Sequence, residues 1–475
     1  MVPTARSRGG RAVVLGGSMA GLLAARVLSE RFERVHIVER DELPDGPEPR
    51  KGNPQGRHAH VLLARGLAVL ERLFPGIAAS LIAGGALETD PATSTWFQCG
   101  RWKLRVPSGL RVTVQSRPFL EWHVRRRVAA LPGVSFLCGR TATELLPGPS
   151  GGEVTGVHLS RKGAPDEALS ADLVLDASGR GSQAPQWLTA LGFDPPREEE
   201  VGVGVGYATR LYRRVDRAPD DLLIVYSDPP RTRRQGVLFP LEGDRWICSL
   251  VGWLGDHPPA DDEGFLAFAR TLDAPDLHRA IREAEPLGPI AVHRIPTTRW
   301  RHYEQLRRAP RRFLVLGDAR CCFNPVYAQG MTVAALEAEV LESCLAEHPP
   351  ESLGPAFERR VSRVVADAWL LATGEDLRYP EAEGHRPLAT PLVNAYVSRV
   401  HRRVATDPAV LLAFHRVVNM VARPTALFRP GIALRVLSPS RARDGTGRVL
   451  RQRSVPLRSL VTRIKVRVAR SGRGV

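Results

Sequence analysis

Residues 11–21 read RAVVLGGSMAG, and residues 34–39 read RVHIVE. The first segment is a short apolar run that ends in glycines, and the apolar spacing of the residues after it is typical of a helix. The second segment has the composition of a buried strand. Strand, glycine turn, helix and strand in this order predict a βαβ unit with parallel strands. The predicted fold class is therefore α/β.

The glycine turn has the residue types that a phosphate-binding turn needs. Gly16, Gly17 and Gly21 would let the backbone approach a pyrophosphate at the N-terminus of the helix. Ser18 stands where the usual pattern has glycine, but serine is small and adds a hydroxyl donor. Glu39 ends the second strand, where an acid would hydrogen-bond an adenosine ribose and disfavour a 2′-phosphate. The unit is predicted to bind the adenosine of FAD or NAD; a plain glycine-rich turn with a surface acid is the alternative.

Residues 312–332, RFLVLGDARCCFNPVYAQGMT, form a second candidate site. A strand ends before Asp318, which could hold a second chain of ribose-like hydroxyls. Gly330 and Met331 begin a helix whose N–H groups would face the N1/O2 edge of a flavin and stabilise its charge on reduction. A nicotinamide dehydrogenase has no need of this element, so the predicted cofactor is FAD. The alternative is an ordinary core strand and helix.

Several segments resemble one enzyme superfamily. The 312–332 segment resembles the GD…P…G motif of FAD-dependent monooxygenases of the para-hydroxybenzoate hydroxylase superfamily. Residues 172–182, DLVLDASGRGS, resemble its DG motif, with Ala177 where glycine is usual. Arg117 stands where these enzymes place an arginine on the FAD ribose and pyrophosphate, although a solvated surface arginine is the alternative. Residues 50–63, RKGNPQGRHAHVLL, are similar to bacterial flavin epoxidases that act on polyene precursors of polyethers.

The resemblance implies an FAD-dependent monooxygenase. Such an enzyme uses NADH or NADPH to reduce the flavin, forms a C4a-hydroperoxide with O₂, and oxygenates a hydrophobic small molecule, here one of secondary metabolism, free or bound to a carrier protein. Alkene epoxidation needs no side-chain base, and no base stands out in the sequence, so an alkene is favoured over a phenol. The catalytic residues stay unknown. Two alternatives remain: an FAD-dependent reductase of isoprenoid double bonds and a non-catalytic flavin-binding scaffold.

Three further observations, on histidine, tryptophan and cysteine residues, concern the chemistry. Gln55, His58 and His60 lie in a polar loop after the second strand, and a role over the flavin and a purely local hydrogen-bonding role are equally supported. The tryptophan signature of flavin halogenases is absent, because no tryptophan pair precedes Ile295-Pro296. No histidine or cysteine has metal-ligand spacing, so no metal site is predicted.

The same segments divide the chain into parts. Alternating apolar residues over 201–252 predict an antiparallel sheet, and apolar periodicity beyond 350 predicts helices. We expect a discontinuous Rossmann-like FAD-binding domain with an inserted β-rich substrate domain and a helical C-terminal region. The expected ranges are 1–90, 110–190 and 300–350 for the FAD-binding domain, 91–109 and 191–299 for the substrate domain, 351–440 for the helical region and 441–475 for a basic tail.

The net charge of +17 does not indicate a nucleic-acid partner. Arginine accounts for 63 of the 67 basic residues, as in a chain with GC-rich codons, and residues 441–475 hold eleven basic residues against one acid. The rest of the chain is nearly balanced, which excludes a nucleic-acid-binding surface. Residues 454–470 have a basic amphipathic pattern that could lie on an anionic membrane or meet an acidic partner such as a carrier protein, but a solvated tail is favoured. The chain is predicted to be cytoplasmic, since it has no membrane-span pattern and no room for a signal peptide.

Overall fold

A computed structural model describes residues 9–214, 222–438, 441–443 and 449–451 of the 475-residue chain. The amphipathic segment predicted at 454–470 lies outside the described residues. The strands in chain order are β1 Arg11–Leu15, β2 Arg34–Glu39, β3 Leu87–Thr89, β4 Thr95–Gln98, β5 Arg101–Trp102, β6 Val112–Val114, β7 Val134–Cys138, β8 Arg140–Pro147, β9 Val154–Arg161, β10 Glu167–Ser170, β11 Leu173–Asp176, β12 Arg197–Arg213, β13 Leu223–Val225, β14 Arg234–Leu241, β15 Arg245–Gly252, β16 Ala291–His302, β17 Phe313–Val315, β18 Cys321–Cys322, β19 Arg441–Arg443 and β20 Val449–Arg451.

Most of the helices lie before or after the strand-rich middle of the chain, and α6 and α7 lie within it. They are α1 Met19–Leu28, α2 Ala64–Leu73, α3 Ile77–Ala83, α4 Arg117–Ala129, α5 Ala184–Ala190, α6 Asp262–Arg270, α7 Asp276–Ile281, α8 Gly330–Glu347, α9 Pro350–Asp376, α10 Thr390–Arg403, α11 Pro408–Val418 and α12 Pro430–Leu437. Within the described ranges, no single helix is long and apolar enough to cross a membrane; α2 and α3, bent by 108°, pass that test only as a pair.

A parallel sheet forms the first layer, with the strand order β17-β11-β1-β2-β7. Successive residues of β1 point to opposite faces, as the pleat of a strand requires. Ala12 and Val14 pack against α1 and α8, whereas Val13 and Leu15 pack against the three-stranded sheet β10-β9-β8 and α5. Both faces are therefore covered, which explains the uninterrupted apolar sequence of β1.

An eight-stranded sheet forms the second layer, in the order β18-β16-β12-β15-β14-β13-β4-β5. Its long strands β12 and β16 are antiparallel, and β16 crosses the expected domain boundary at residue 299 to end at His302. Helices α6 and α7 cover one face through Phe265, Phe268 and Leu277. The alternating pattern indicated the sheet, but it did not predict these two helices.

Helices α9 to α12 complete the molecule. Helix α9 packs against α8 and contributes Phe357, Val361 and Val365 to the main core. Helices α10 and α11 form a smaller core with Trp96 and Leu104, which lie on and beside the edge strands of the large sheet. The predicted architecture of a parallel sheet, a β-rich sheet and C-terminal helices is confirmed.

Candidate active site

A cleft of about 410 Å³ opens at the carboxyl ends of the parallel strands β1, β2, β11 and β17. Ligands of open α/β sheets bind at this edge, since the loops there leave a crevice and helices begin there. Seven of the nine candidate residues line the cleft: Gly16, Ser18, Glu39, Arg117, Asp318, Gly330 and Met331. The two sequence motifs, nearly 300 residues apart, therefore meet in one cavity.

The other two candidates, Gly17 and Gly21, shape the turn from behind. A Cβ on Gly21 would lie 1.8 Å from the carbonyl oxygen of Gly16, so only glycine allows this close contact between α1 and the turn. Gly16 has a φ of 106°, and its Cβ would lie 2.4 Å from the carbonyl oxygen of Ala177. Gly17 donates its N–H to Glu39 Oε2 at 2.8 Å.

Glu39 is 5% exposed at the end of β2 and is held by several donors. Its Oε1 accepts the N–H of Asp41 at 3.0 Å, and its Oε2 lies 3.0 Å from Nη1 of Arg50. The same Arg50 Nη1 donates to Asp41 Oδ2 at 3.0 Å. The carboxylate is thereby fixed at the position where the sequence predicts an adenosine ribose.

A second buried carboxylate is Glu121 on α4, which connects the glycine turn to Arg117. Ser18 donates its hydroxyl to Glu121 Oε2 at 2.6 Å, Arg117 Nη2 donates to Ser18 Oγ at 3.0 Å, and Arg50 Nη2 donates to Glu121 Oε1 at 3.1 Å. Burial would raise the pKa of Glu121, but the guanidinium groups of Arg117 and Arg50 hold it below its usual value. Ser18 is therefore part of a charged network, which explains how a serine is accommodated in the turn.

Arg50 and Glu121 are functional candidates that sequence reasoning missed. Arg50 begins the 50–63 segment that carries the resemblance, and Glu121 lies one helical turn after Arg117. The i,i+4 spacing was visible in the sequence, but nothing there showed that both side chains would be buried beside Ser18.

The inner end of the cleft begins after β17. Gly317 has a φ of 61°, and its N–H donates to Glu337 Oε2 on α8 at 2.6 Å. Asp318 follows and points into the cleft. Its pKa is raised overall by burial, and the charge of Arg180 and a hydrogen bond from Gln55 oppose only part of this shift. Burial also raises the pKa of Glu337 to about 7. Helix α8 starts at Gly330, so its positive N-terminus faces the same space.

The segment that resembles the DG motif orders its own loop. Asp176 is fully buried, and its Oδ1 accepts the N–H of Ser178 at 2.9 Å while its Oδ2 accepts the hydroxyl of Ser182. Burial raises the pKa of this carboxyl group. Gly179 and Arg180, which follow, line the cleft.

The loop histidines divide between two positions. His60 and Gln55 line the cleft, together with His293 from β16. His58 is buried behind them, where its Nδ1 hydrogen-bonds Thr209 Oγ1 at 2.8 Å. Burial lowers the pKa of His58 to about 4 and that of His60 to about 3, so both rings are neutral at neutral pH.

A further buried acid, Asp376, was not predicted from the sequence. It ends α9 and is fully buried, and its Oδ1 accepts the hydroxyl of Tyr327 at 2.7 Å and the amide of Asn324 at 3.0 Å. Asn324 Oδ1 in turn accepts the hydroxyl of Tyr207 from β12 at 3.1 Å. Burial raises the pKa of Asp376 to about 7. The network connects α9, the large sheet and the loop before α8, and about 50 residues of sequence separate its acid from its partners.

Comparison with known families identifies this combination of glycine turn and second motif. Residues 11–354 match the FAD binding domain family. The chain belongs to this family. It is 35% identical over 399 residues to Protein Rv3254 of Mycobacterium tuberculosis, which covers 80% of this chain and 82% of that protein. It is 26% identical over 428 residues to the kynurenine 3-monooxygenase of Salinispora arenicola, which covers 82% and 81% of the two chains.

Solved structures of this FAD-binding fold superpose along most of the chain. The flavin-dependent brominase Bmp2 gives a TM-score of 0.64 at 14% identity and covers 86% of this chain and 93% of its own. A variant of 2-methyl-3-hydroxypyridine-5-carboxylic acid oxygenase gives 0.60 at 22% identity and covers 83% and 97%. At these identities the likeness establishes the fold alone.

The polar groups of the cleft fit FAD. The buried Arg117 Nε at the outer end and Gln329 Oε1 at the inner end have no hydrogen-bond partner within the described part of the chain, so a bound molecule can satisfy them. Glu39 and Asp318 stand near the two ends of the cleft, as the two hydroxyl-bearing parts of FAD require. The N-terminus of α8 offers N–H groups to a developing negative charge on the ring.

Proposed function

We propose that this FAD-binding protein is a monooxygenase that uses NADH or NADPH and O₂ to oxygenate a hydrophobic small molecule in secondary metabolism. The observation that carries the proposal is a single cleft with an acid for adenosine at one end and the Asp318 and Gly330 elements at the other. Bound FAD would supply electron transfer and oxygen activation. The residues of the chain would bind and orient it.

The lining of the inner end supports a hydrophobic substrate. Val61, Phe323, Pro325, Ala328 and Met331 give this end of the cleft an apolar wall. Such a wall excludes water, which a monooxygenase needs in order to avoid losing its reducing equivalents as hydrogen peroxide. Burial lowers the pKa of both His60 and His293, so neither ring adds a positive charge to this wall at neutral pH. A free or carrier-bound substrate would meet the same surface.

Two oxygenations compete. The similarity of residues 50–63 to polyene epoxidases favours an alkene, whose epoxidation needs no base. Hydroxylation of a phenol would use a base. Burial raises the pKa of Asp376 to about 7, but Asp376 does not itself line the cleft, so it would have to accept the proton through its hydrogen bonds to Tyr327 and Asn324. In the second case Asp376→Asn would lower kcat and remove a pH dependence near 7. The control Tyr379→Phe would do neither, because the Tyr379 hydroxyl donates to Ser227 and to the carbonyl oxygen of Thr232 rather than to the Asp376 side chain. If the reaction is an epoxidation, kcat of Asp376→Asn should depend on pH in the same way as kcat of the unmodified protein.

The experiment is incubation of the purified protein with NADPH or NADH, ¹⁸O₂ and candidate alkenes and phenols. A monooxygenase transfers one ¹⁸O atom to the product. Consumption of reductant with reduction of a double bond and no ¹⁸O would favour the FAD-dependent reductase of isoprenoid double bonds. Absence of turnover with every substrate, with FAD bound, would favour the non-catalytic scaffold.

A further inference from the structure

The net positive charge of the protein comes entirely from its C-terminal part. Residues 386–475 contain 19 basic residues and two acids, Asp407 and Asp444, so they account for the whole formal net charge of +17. Residues 1–385, which include the entire cleft, are balanced. Within 386–438 alone there are eight arginines and one acid. Such a one-sided distribution creates a field that attracts an extended anionic surface.

The same part of the chain exposes most of the large hydrophobic side chains. Ten are exposed among the described residues, and six of these lie between 388 and 437. We call these six the C-terminal face: Leu388, Leu392, Val393, Phe428, Leu434 and Leu437. Leu388 is fully exposed and Leu434 is 68% exposed. Single exposed leucines are ordinary, but a group within 50 residues indicates an interaction surface.

Contacts of α10 with Phe428 and with α12 bring the elements that carry most of the C-terminal face together. Leu392 lies one helical turn before Tyr396, whose ring stacks on Phe428 with centroids 4.7 Å apart. At the far end of α10, Arg403 Nε donates to the carbonyl oxygen of Arg435 at 2.8 Å. The two helices therefore run side by side, with the exposed Leu392 near the Phe428 end and Leu434 and Leu437 near the end of α12.

Exposed arginines flank these side chains. Arg402 on α10 and Arg429 before α12 are exposed and form no ion pair with another described residue. An arginine can extend its charged head to a polar layer while its aliphatic stem covers apolar surface. Helices that combine protruding leucines with arginines have the composition of segments that lie at the boundary between lipid headgroups and acyl chains.

We propose that the C-terminal face binds the surface of an anionic lipid bilayer. Apolar side chains would enter the acyl boundary, and arginines would pair with lipid phosphates. A second copy of this chain is disfavoured as the occupant because two such faces carry the same charge. A nucleic acid offers no apolar layer for six large hydrophobic side chains. The proposal is independent of the proposed reaction.

Sedimentation of the full-length, FAD-loaded protein with vesicles tests this proposal. We expect binding to equal mixtures of phosphatidylglycerol and phosphatidylcholine, weakening as salt is added, and little binding to phosphatidylcholine alone. The double variant Leu388→Ser, Leu434→Ser should bind at least about tenfold more weakly, since each leucine contributes apolar burial. The matched control is Ile82→Ser, Leu370→Ser, which removes two exposed apolar side chains outside the face and should bind like the unmodified protein.

Each double variant should retain its FAD content and unfolding temperature, which shows that it is folded. Equal binding to both vesicle types, or unchanged binding of the Leu388→Ser, Leu434→Ser variant, would overturn the proposal. So would a dimer that dissociates in this variant while no vesicle binds, because the face would then be an interface between copies. Capture of an acidic protein in place of the phosphatidylglycerol vesicles would equally overturn it.

Discussion

Asp318 is the residue on which the inner end of the cleft depends most directly. It follows β17, points into the cleft and accepts a hydrogen bond from Gln55. Asp318→Ala should weaken FAD binding by about 1–3 kcal/mol, the cost of leaving a buried hydrogen-bond partner unsatisfied. Asp318→Asn keeps an acceptor oxygen and should lose less. The measurement is the flavin absorbance per protein after gel filtration; full FAD content in Asp318→Ala would contradict the assignment.

Glu121 offers a second test, at the outer end. It is buried between Arg50 and Arg117, and removal of one member of such a group leaves uncompensated charge. Glu121→Ala should lower the free energy of unfolding by about 3–5 kcal/mol. The control is Glu30→Ala, which breaks an exposed i,i+4 pair with Arg26 and should cost less than about 1 kcal/mol. Urea unfolding measures the free energy of unfolding of both variants. Equal losses would show that the buried network stabilises the protein no more than an exposed ion pair does.

The pH dependence of the Glu121 contribution has a defined sign. The pKa of this carboxyl group is lower in the folded protein than in the unfolded chain. The stabilisation is therefore complete above the ordinary glutamate pKa and is lost as the pH falls through the lower, folded-state value. The difference in the free energy of unfolding between Glu121→Ala and the unmodified protein should therefore become smaller in acid. A difference that stays constant down to the acid transition would contradict the ion-pair account.

At the scale of elements, the glycine turn decides how closely α1 approaches β1. Gly21→Ala would bring a Cβ within 1.8 Å of the carbonyl oxygen of Gly16 and should destabilise the protein by about 3 kcal/mol while lowering FAD content. Gly288→Ala is the control, since nothing lies within 4 Å of its Cβ position and Gly288 does not line the cleft. Thermal unfolding with and without added FAD measures both, and equal stability of the two variants would contradict the close packing.

The end of α9 carries a pH-dependent contribution of the opposite sign. The pKa of Asp376 rises from the usual 3.8 to about 7, so between these values the folded protein holds a proton that the unfolded chain has released. The free energy of unfolding therefore falls as the pH rises through this window. Asp376→Asn should gain stability relative to the unmodified protein between pH 4 and pH 8. Glu337 adds a similar pH dependence to the free energy of unfolding of both proteins, so it cancels in the comparison. If the difference in free energy of unfolding between Asp376→Asn and the unmodified protein stayed constant from pH 4 to pH 8, the raised pKa of Asp376 would be contradicted.

The elements that were predictable from sequence are those whose signals are local. The turn at 16–21, the strand before Asp318 and the long helix from Gly330 each combine an apolar run with adjacent glycines. Helices α6 and α7 were missed because they are short and lie after the alternating residues 201–252, inside the range 191–299 that was expected to be β-rich. Arg50, Glu121 and Asp376 were missed because their function arises from partners distant in sequence. Composition cannot show which arginine or acid becomes buried in a chain with so many of both.

At the scale of the whole molecule, separate parts of the chain build one cleft, and the net charge arises from a different part of the sequence. The first βαβ unit, the loop at 50–63 and the segment from β17 to α8 all contribute lining residues. The C-terminal 90 residues carry the net charge, and those of them that the structure describes contribute nothing to that lining. Removal of residues 441–475 should therefore leave FAD content and turnover in vitro unchanged. Loss of turnover by the purified, FAD-loaded truncated protein would contradict this separation.

The central claim is that this cleft holds FAD and prepares it to react with oxygen. The most direct measurement is to reduce the purified protein without oxygen, mix it rapidly with aerated buffer and follow the flavin spectrum. We expect a spectral phase distinct from both reduced and oxidised flavin before the oxidised spectrum returns, because the apolar wall at the inner end of the cleft would limit the access of water. Reoxidation in a single step, with and without candidate substrates, would contradict a monooxygenase and favour the reductase.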